Sequence, residues 1–127
     1  MDSSALVTWM SRRSYWTALD AYLGDAGSRP MATSSLGFVE TTRTLDLMGT
    51  FPGAMAELER GVGEILLTPE VRRTAAALTG RLRTLDAVHV ASALSLGESL
   101  TALVTYDKRM LETALAAGLR AHAPGMG

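Results

Sequence analysis

The sequence predicts an α/β fold, a single doubly wound parallel-sheet domain with helices on both faces. Three observations carry that prediction. Short apolar runs, Glu64-Ile65-Leu66-Leu67-Thr68 and Ala102-Leu103-Val104-Thr105, alternate with longer helical segments, and strands that alternate with helices build parallel sheets covered on both sides. The stretch Arg83 to Gly97, RTLDAVHVASALSLG, reads as a helix apolar on nearly every side, which places it in the middle of a domain. The chain has 127 residues with no linker, repeat or low-complexity tract, so residues 1–127 read as one domain with a real core.

The elements follow in order. Asp2 and Ser3-Ser4 open a helix whose exposed N–H groups a short polar side chain can cap. Tyr15 to Leu23 is a second helix, with Gly24 and Gly27 expected to end it. Pro30 to Thr33 is a weak strand. Ser34 or Ser35 caps a helix from Leu36 to Met48 that stops at Gly49, and Phe51 to Arg60 is helical, punctuated by Gly61 and Gly63. Glu64 to Thr68 is a strand, after which Pro69 and Glu70 open a helix at the positions where proline and an acid are favoured, and Gly80 closes it. The apolar helix comes next, then the strand Ala102 to Thr105. A helix from Lys108 to Ala117 ends at Gly118, and Leu119 to Ala123 forms an edge strand cut off by Pro124.

Bulk properties exclude several functions. A formal net charge of −1 leaves any nucleic-acid footprint to local clusters. The chain has no cysteine, which removes disulfides and thiolate metal sites and fits a reducing cytoplasm. No apolar run approaches the roughly 20 residues of a membrane span, and an acid ahead of basic residues at the N-terminus reverses the order of a secretory signal. A soluble cytoplasmic protein is expected. Gly61-Val62-Gly63 lacks the lysine of a phosphate loop and the spacing of a dinucleotide fingerprint, and no serine sits in a nucleophile elbow.

Four acids stand out against apolar or strand-end surroundings: Asp2, Glu40, Asp86 and Asp107. Each alone has an ordinary reading. Asp2 can be a helix cap, Glu40 a partner of Arg43 at i+3, Asp86 a first-turn partner of the helix dipole, and Asp107 part of a turn with Lys108. Asp86 departs furthest from the ordinary, because it opens a buried helix and aspartate is almost never buried unpaired. On a doubly wound sheet, strand carboxyl ends and helix N-termini lie on one side, where ligand sites form. Carboxylates gathered there repel one another unless a cation intervenes. Oxygen-only ligands suit Mg²⁺ or Mn²⁺, and such clusters serve metal-assisted attack of water on a phosphodiester.

The ordered set resembles the PIN-domain ribonucleases, and most closely the VapC toxins of bacterial toxin–antitoxin pairs. The matching pieces are DSSALV at Asp2–Val7, SSLGFVETTR at Ser34–Arg43, LRTLDAVHVASA at Leu82–Ala93 and TALVTYDKRM at Thr101–Met110. The resemblance implies that Asp2, Glu40, Asp86 and Asp107 are the metal-binding acids, and that Ser4 helps hold the metal or its water. It implies Mg²⁺- or Mn²⁺-dependent endoribonucleolytic cleavage that inhibits translation and growth. It also implies a VapB-type antitoxin as partner, which pushes a basic side chain into the acidic pocket, and a toxin homodimer. One departure stands out. In that family a short apolar strand precedes the first aspartate at the centre of the sheet, whereas here only Met1 precedes Asp2. The expectation is a missing or misplaced start, with unpaired backbone groups and a core gap where that strand belongs.

Among the remaining residues, His89 reads as a packed histidine with a satisfied ring nitrogen rather than a base or ligand, and His122 as a surface residue. Phosphate contacts in a chain of near-zero charge must come from local basic groups. Arg83, Lys108 and Arg109 flank the acids and are the candidates. Trp9, Tyr15, Trp16 and Tyr22 read as core or partner-groove aromatics, and the methionines as core filler. The rival functions are a PIN-like module that binds RNA or protein without cutting, and a phosphoaspartate receiver, whose acidic pair Asp2-Ser3-Ser4 does not supply.

Overall fold

Helix caps set most of the element boundaries. The computed structural model describes residues 1–25, 30–49 and 51–126. Helix α1 (Ser3–Ser11) starts where the Asp2 side chain accepts the Ala5 N–H, and it ends at Arg12 in the left-handed region, φ 54°. Helix α2 (Trp16–Asp25) runs through Gly24 instead of ending there; Gly27 lies outside the described residues. Strand β1 (Met31–Ser34) passes directly into α3 (Ser35–Met48), with Ser34 as the cap, and Gly49 closes the helix at φ 81°. Helix α4 (Ala54–Gly61) is shorter than the expected Phe51–Arg60, because Pro52-Gly53 forms a turn with Gly53 at φ 80°.

Strand β2 (Val62–Ile65) corrects the expected Glu64–Thr68. Its partner explains the shift. β2 pairs in parallel with β1 from Met31↔Val62 to Ser34↔Ile65, and Ser34 then leaves the sheet to cap α3. Beyond Ile65 no partner strand remains, so Leu66 and Leu67 stay 62% and 46% exposed. Thr68 caps α5 (Pro69–Ala77), with proline at its start; the helix ends before Gly80, which lies in the following turn at φ 113°. Helix α6 (Thr84–Ser95) is buried from Val88 to Ala93, whereas Leu85 in its first turn is exposed. After a 3₁₀ turn (Gly97–Ser99) come β3 (Leu103–Val104), α7 (Lys108–Ala116) and β4 (Ala121–His122), with β3 and β4 parallel.

Helices cover both faces of β3, as the alternation of side chains along a strand requires. Leu103 packs among Val90 and Ala93 of α6, Met110 and Ala114 of α7, and Ala121. Val104 faces the other way, onto Ala5 of α1 and Leu19 of α2. A third cluster joins Leu6, Phe38, Leu58 and Val62, with Met1, Met10, Met31 and Met55 filling around it.

The α/β class and the parallel strands are as expected. Among the described residues the strands form two pairs, β1–β2 and β3–β4. Met1 and Asp2 lie between them. The Met1 ammonium donates to the Ala32 carbonyl at 2.7 Å, and the Asp2 N–H donates to the Val104 carbonyl at 3.2 Å. Beside these two links a cleft of about 800 Å³ opens, lined by Met31, Ala32, Leu96, Ala102, Leu103 and Trp9 among others. Burial lowers the pKa of the Met1 ammonium, and Asp2 opposes that shift.

Candidate acidic active site

Asp2 is only 2% exposed, so its carboxylate must be partnered. Oδ1 accepts the Ala5 N–H at 3.1 Å and the Ser4 hydroxyl at 2.7 Å. Oδ2 accepts the Thr105 hydroxyl at 2.8 Å. Both hydroxyls are themselves acceptors: Ser4 Oγ takes the Tyr106 N–H at 2.8 Å and Thr105 Oγ1 takes the Asp107 N–H at 3.0 Å. Two hydroxyls thus lock the first helix start to the turn between β3 and α7. That turn delivers Asp107, which caps α7 through Oδ1, accepting Arg109 N–H at 2.9 Å and Met110 N–H at 3.2 Å. Its Oδ2 carries no hydrogen bond among the described residues.

Glu40 comes from the second turn of α3. Gly37, in the first turn, packs so closely on β1 that an added Cβ would collide with the Thr33 side chain. That contact seats α3 against the strand. Glu40 does not pair with Arg43, its expected neighbour; Oε1 lies 3.1 Å from His89 Nε2 instead. His89 is buried, with both ring nitrogens partnered, in keeping with the packed histidine expected from the sequence.

Asp86 sits half-buried in the first turn of α6. Its pKa is raised, first by burial and then by Asp107 and Glu40; His89 opposes the shift and Asp2 adds to it. The four acids singled out in the sequence therefore surround one region, drawn from α1, α3, α6 and the β3–α7 turn. Among the described residues, no three carboxylate or imidazole side chains are gathered tightly enough to hold a cation as they stand. Their bonds go elsewhere: Asp2 and Asp107 cap helices, and Glu40 holds His89. The donor chemistry nevertheless fits Mg²⁺ or Mn²⁺, since it is carboxylate oxygen throughout with the Ser4 hydroxyl alongside.

Arg83, Lys108 and Arg109 are exposed at the N-terminal ends of α6 and α7, next to Asp86 and Asp107 in the chain. Tyr15 and Tyr106 stack with ring centroids 5.2 Å apart, while Trp9 packs into the core around α1. Ser34 and Thr105 are the side chains that sequence reasoning left out of the site. The available signal was position alone: each is a hydroxyl residue at the carboxyl end of a strand, the end where such sites form.

The PIN domain is the family that matches, over residues 1–115. The chain belongs to the PIN-domain family. Its curated relatives include three proteins of Mycobacterium tuberculosis. Ribonuclease VapC35 is 36% identical, with 98% of this chain and 96% of that protein covered. Ribonuclease VapC47 is 34% identical over the same shares, and Ribonuclease VapC46 is 34% identical, covering 98% and 95%. This PIN-domain chain is thus VapC-like over nearly its whole length. No solved structure matches it.

Proposed function

We propose that this PIN-domain chain is a Mg²⁺- or Mn²⁺-dependent endoribonuclease, the toxin of a toxin–antitoxin pair, which cuts RNA and so inhibits translation and growth. One observation carries the reading: the Thr105 hydroxyl joins the Asp2 carboxylate to the Asp107 N–H, while Asp107 and Glu40, from separate segments, add to the burial that raises the Asp86 pKa. The relatives named as VapC ribonucleases support RNA as the substrate and a VapB-type antitoxin as the partner.

In this reading Asp2, Glu40, Asp86 and Asp107 hold the cation, with Ser4 beside it. When bound, such an ion activates water and neutralises charge on the phosphodiester oxygens. The chain's own residues supply the frame. Ser4 and Thr105 fix the Asp2 carboxylate at both oxygens. The α7 cap holds Asp107 on a short turn. Arg83, Lys108 and Arg109 contact flanking phosphates and set the register of the RNA strand. The antitoxin covers the acids with a basic side chain, and the toxin pairs with a second copy of itself. The pair works in the cytoplasm, where its RNA substrate is found.

Purified native chain, Asp86→Asn and Asp107→Asn are compared on total RNA with Mg²⁺ or Mn²⁺, against an EDTA control. The variants are expected to cut at least about a hundredfold more slowly, in line with the several kcal/mol that a metal ion contributes, and to lose toxicity. Variants that cut and kill like the native chain refute the reading. The helix-capping duties of Asp2 and Asp107 favour one rival, a module that binds RNA without cutting. In that case the native chain retains RNA in Mn²⁺ and generates no new ends.

A further inference from the structure

His89 joins two helices at the acid cluster. It lies on α6 one turn after Asp86, is 3% exposed, and uses both ring nitrogens. Nε2 is 3.1 Å from Glu40 Oε1 and Nδ1 is 3.1 Å from Ser34 Oγ. The partners fix the tautomer. A carboxylate oxygen accepts, so Nε2 carries the hydrogen. Nδ1 of a neutral ring then accepts from the Ser34 hydroxyl, whose oxygen in turn takes the Gly37 N–H at 3.1 Å. The result is an unbroken chain of donors from Gly37 N–H through Ser34 and His89 to Glu40. Its first link is the cap that starts α3, the helix that carries Glu40.

Among the described residues the Glu40 carboxylate has no other hydrogen bond, and its side chain is 29% exposed. Three rotatable bonds and one partner leave its direction to that partner. A histidine serving only the core could satisfy its donor on any nearby carbonyl. Here the donor is committed to one of the four acids on a neighbouring helix, while an acid three residues earlier on its own helix shares its face. Helix α6 thus supplies one acid directly, Asp86, and steers a second through the ring of His89.

We propose that His89 is the positioning residue for Glu40, holding its carboxylate at the place where it meets a divalent cation shared with Asp86. This rests on the metal-dependent reading above. Groups that orient ligands from one shell out change metal affinity by about 10- to 100-fold when removed.

The test separates reach from bulk. His89→Gln keeps an N–H at the reach of Nε2, towards Glu40. His89→Asn keeps a polar group at the reach of Nδ1, towards Ser34, and loses Glu40. Mn²⁺ affinity is measured on the purified full chain without RNA, by titration calorimetry, together with melting in EDTA. His89→Asn is expected to weaken Mn²⁺ binding about tenfold or more, with His89→Gln within a few-fold of native. In a Glu40→Gln background, His89→Asn is expected to cause no further loss. Native affinity in both variants overturns the proposal. So does an equal loss in both that follows a shared fall in melting temperature, since that marks a structural role. So does an undiminished effect of His89→Asn when Glu40 is already Gln. A native chain that takes up no Mn²⁺ overturns the nuclease reading itself, and the inference with it.

Discussion

Asp86 and Asp2 are carboxylates at two helix starts with opposite treatment. Asp2 is wrapped by a backbone N–H and two hydroxyls, so burial is offset by charge-assisted hydrogen bonds. Among the described residues the Asp86 carboxylate has no hydrogen bond, and its pKa is raised by burial, Asp107 and Glu40. The sign for stability follows. A raised pKa means that the folded chain binds the Asp86 proton more tightly than the unfolded chain does. Stability therefore falls as pH rises from the ordinary carboxylate range through the raised value, and the penalty persists at neutral pH. Asp86→Asn removes it. In EDTA at neutral pH that variant is expected to melt at a higher temperature than the native chain. The gap closes as the solution is acidified, read by thermal melts across pH, while RNA cleavage is lost. A native-like or lower melting temperature at neutral pH contradicts this account.

At the scale of elements, the site is made from helix starts. Asp2 caps α1, Ser34 caps α3, Asp86 lies in the first turn of α6 and Asp107 caps α7. Each start presents N–H groups and the positive end of a helix dipole, which favour a nearby carboxylate. The two duties of Asp107 separate by substitution. Asp107→Asn keeps an oxygen for the Arg109 and Met110 N–H groups and is expected to leave urea stability almost unchanged, while Mn²⁺ affinity drops. Asp107→Ala loses both, at a further cost of about 1 kcal/mol for the missing cap. Equal stability of the two variants would show that the cap contributes nothing. Most of these starts are legible in the sequence because a short polar residue precedes each periodic stretch. The limits of β2 are not, because they depend on where β1 stops, and β1 stops where Ser34 turns into a cap.

Across the whole molecule, the acids draw on segments from residue 2 to residue 107, so a cation bound among them ties both sheet pairs to one point. Such a ligand binds the folded chain and not the dispersed acids of the unfolded one. At a free Mg²⁺ concentration about 100 times its Kd, stability to urea is expected to rise by about 2.7 kcal/mol. Asp86→Asn is expected to lose most of that gain, and equal ionic strength of a monovalent salt should not reproduce it. A native chain equally stable with Mg²⁺ and EDTA would show that the acids share no ion. The two strand pairs are linked at Met1 and Asp2 by hydrogen bonds to the Ala32 and Val104 carbonyls.

The sequence by itself determined the α/β alternation and the order of the helices. Periodicity, capping residues and burial preference are local properties, and each was present in the string. Only the tertiary structure decided what each carboxylate does. Asp2 is held by Thr105 across 103 positions, and Glu40 turns from Arg43 on its own helix to His89 on another, 49 positions away. A hydrogen bond depends on distances of about 3 Å, and separation along the chain says nothing about those until the helices have packed.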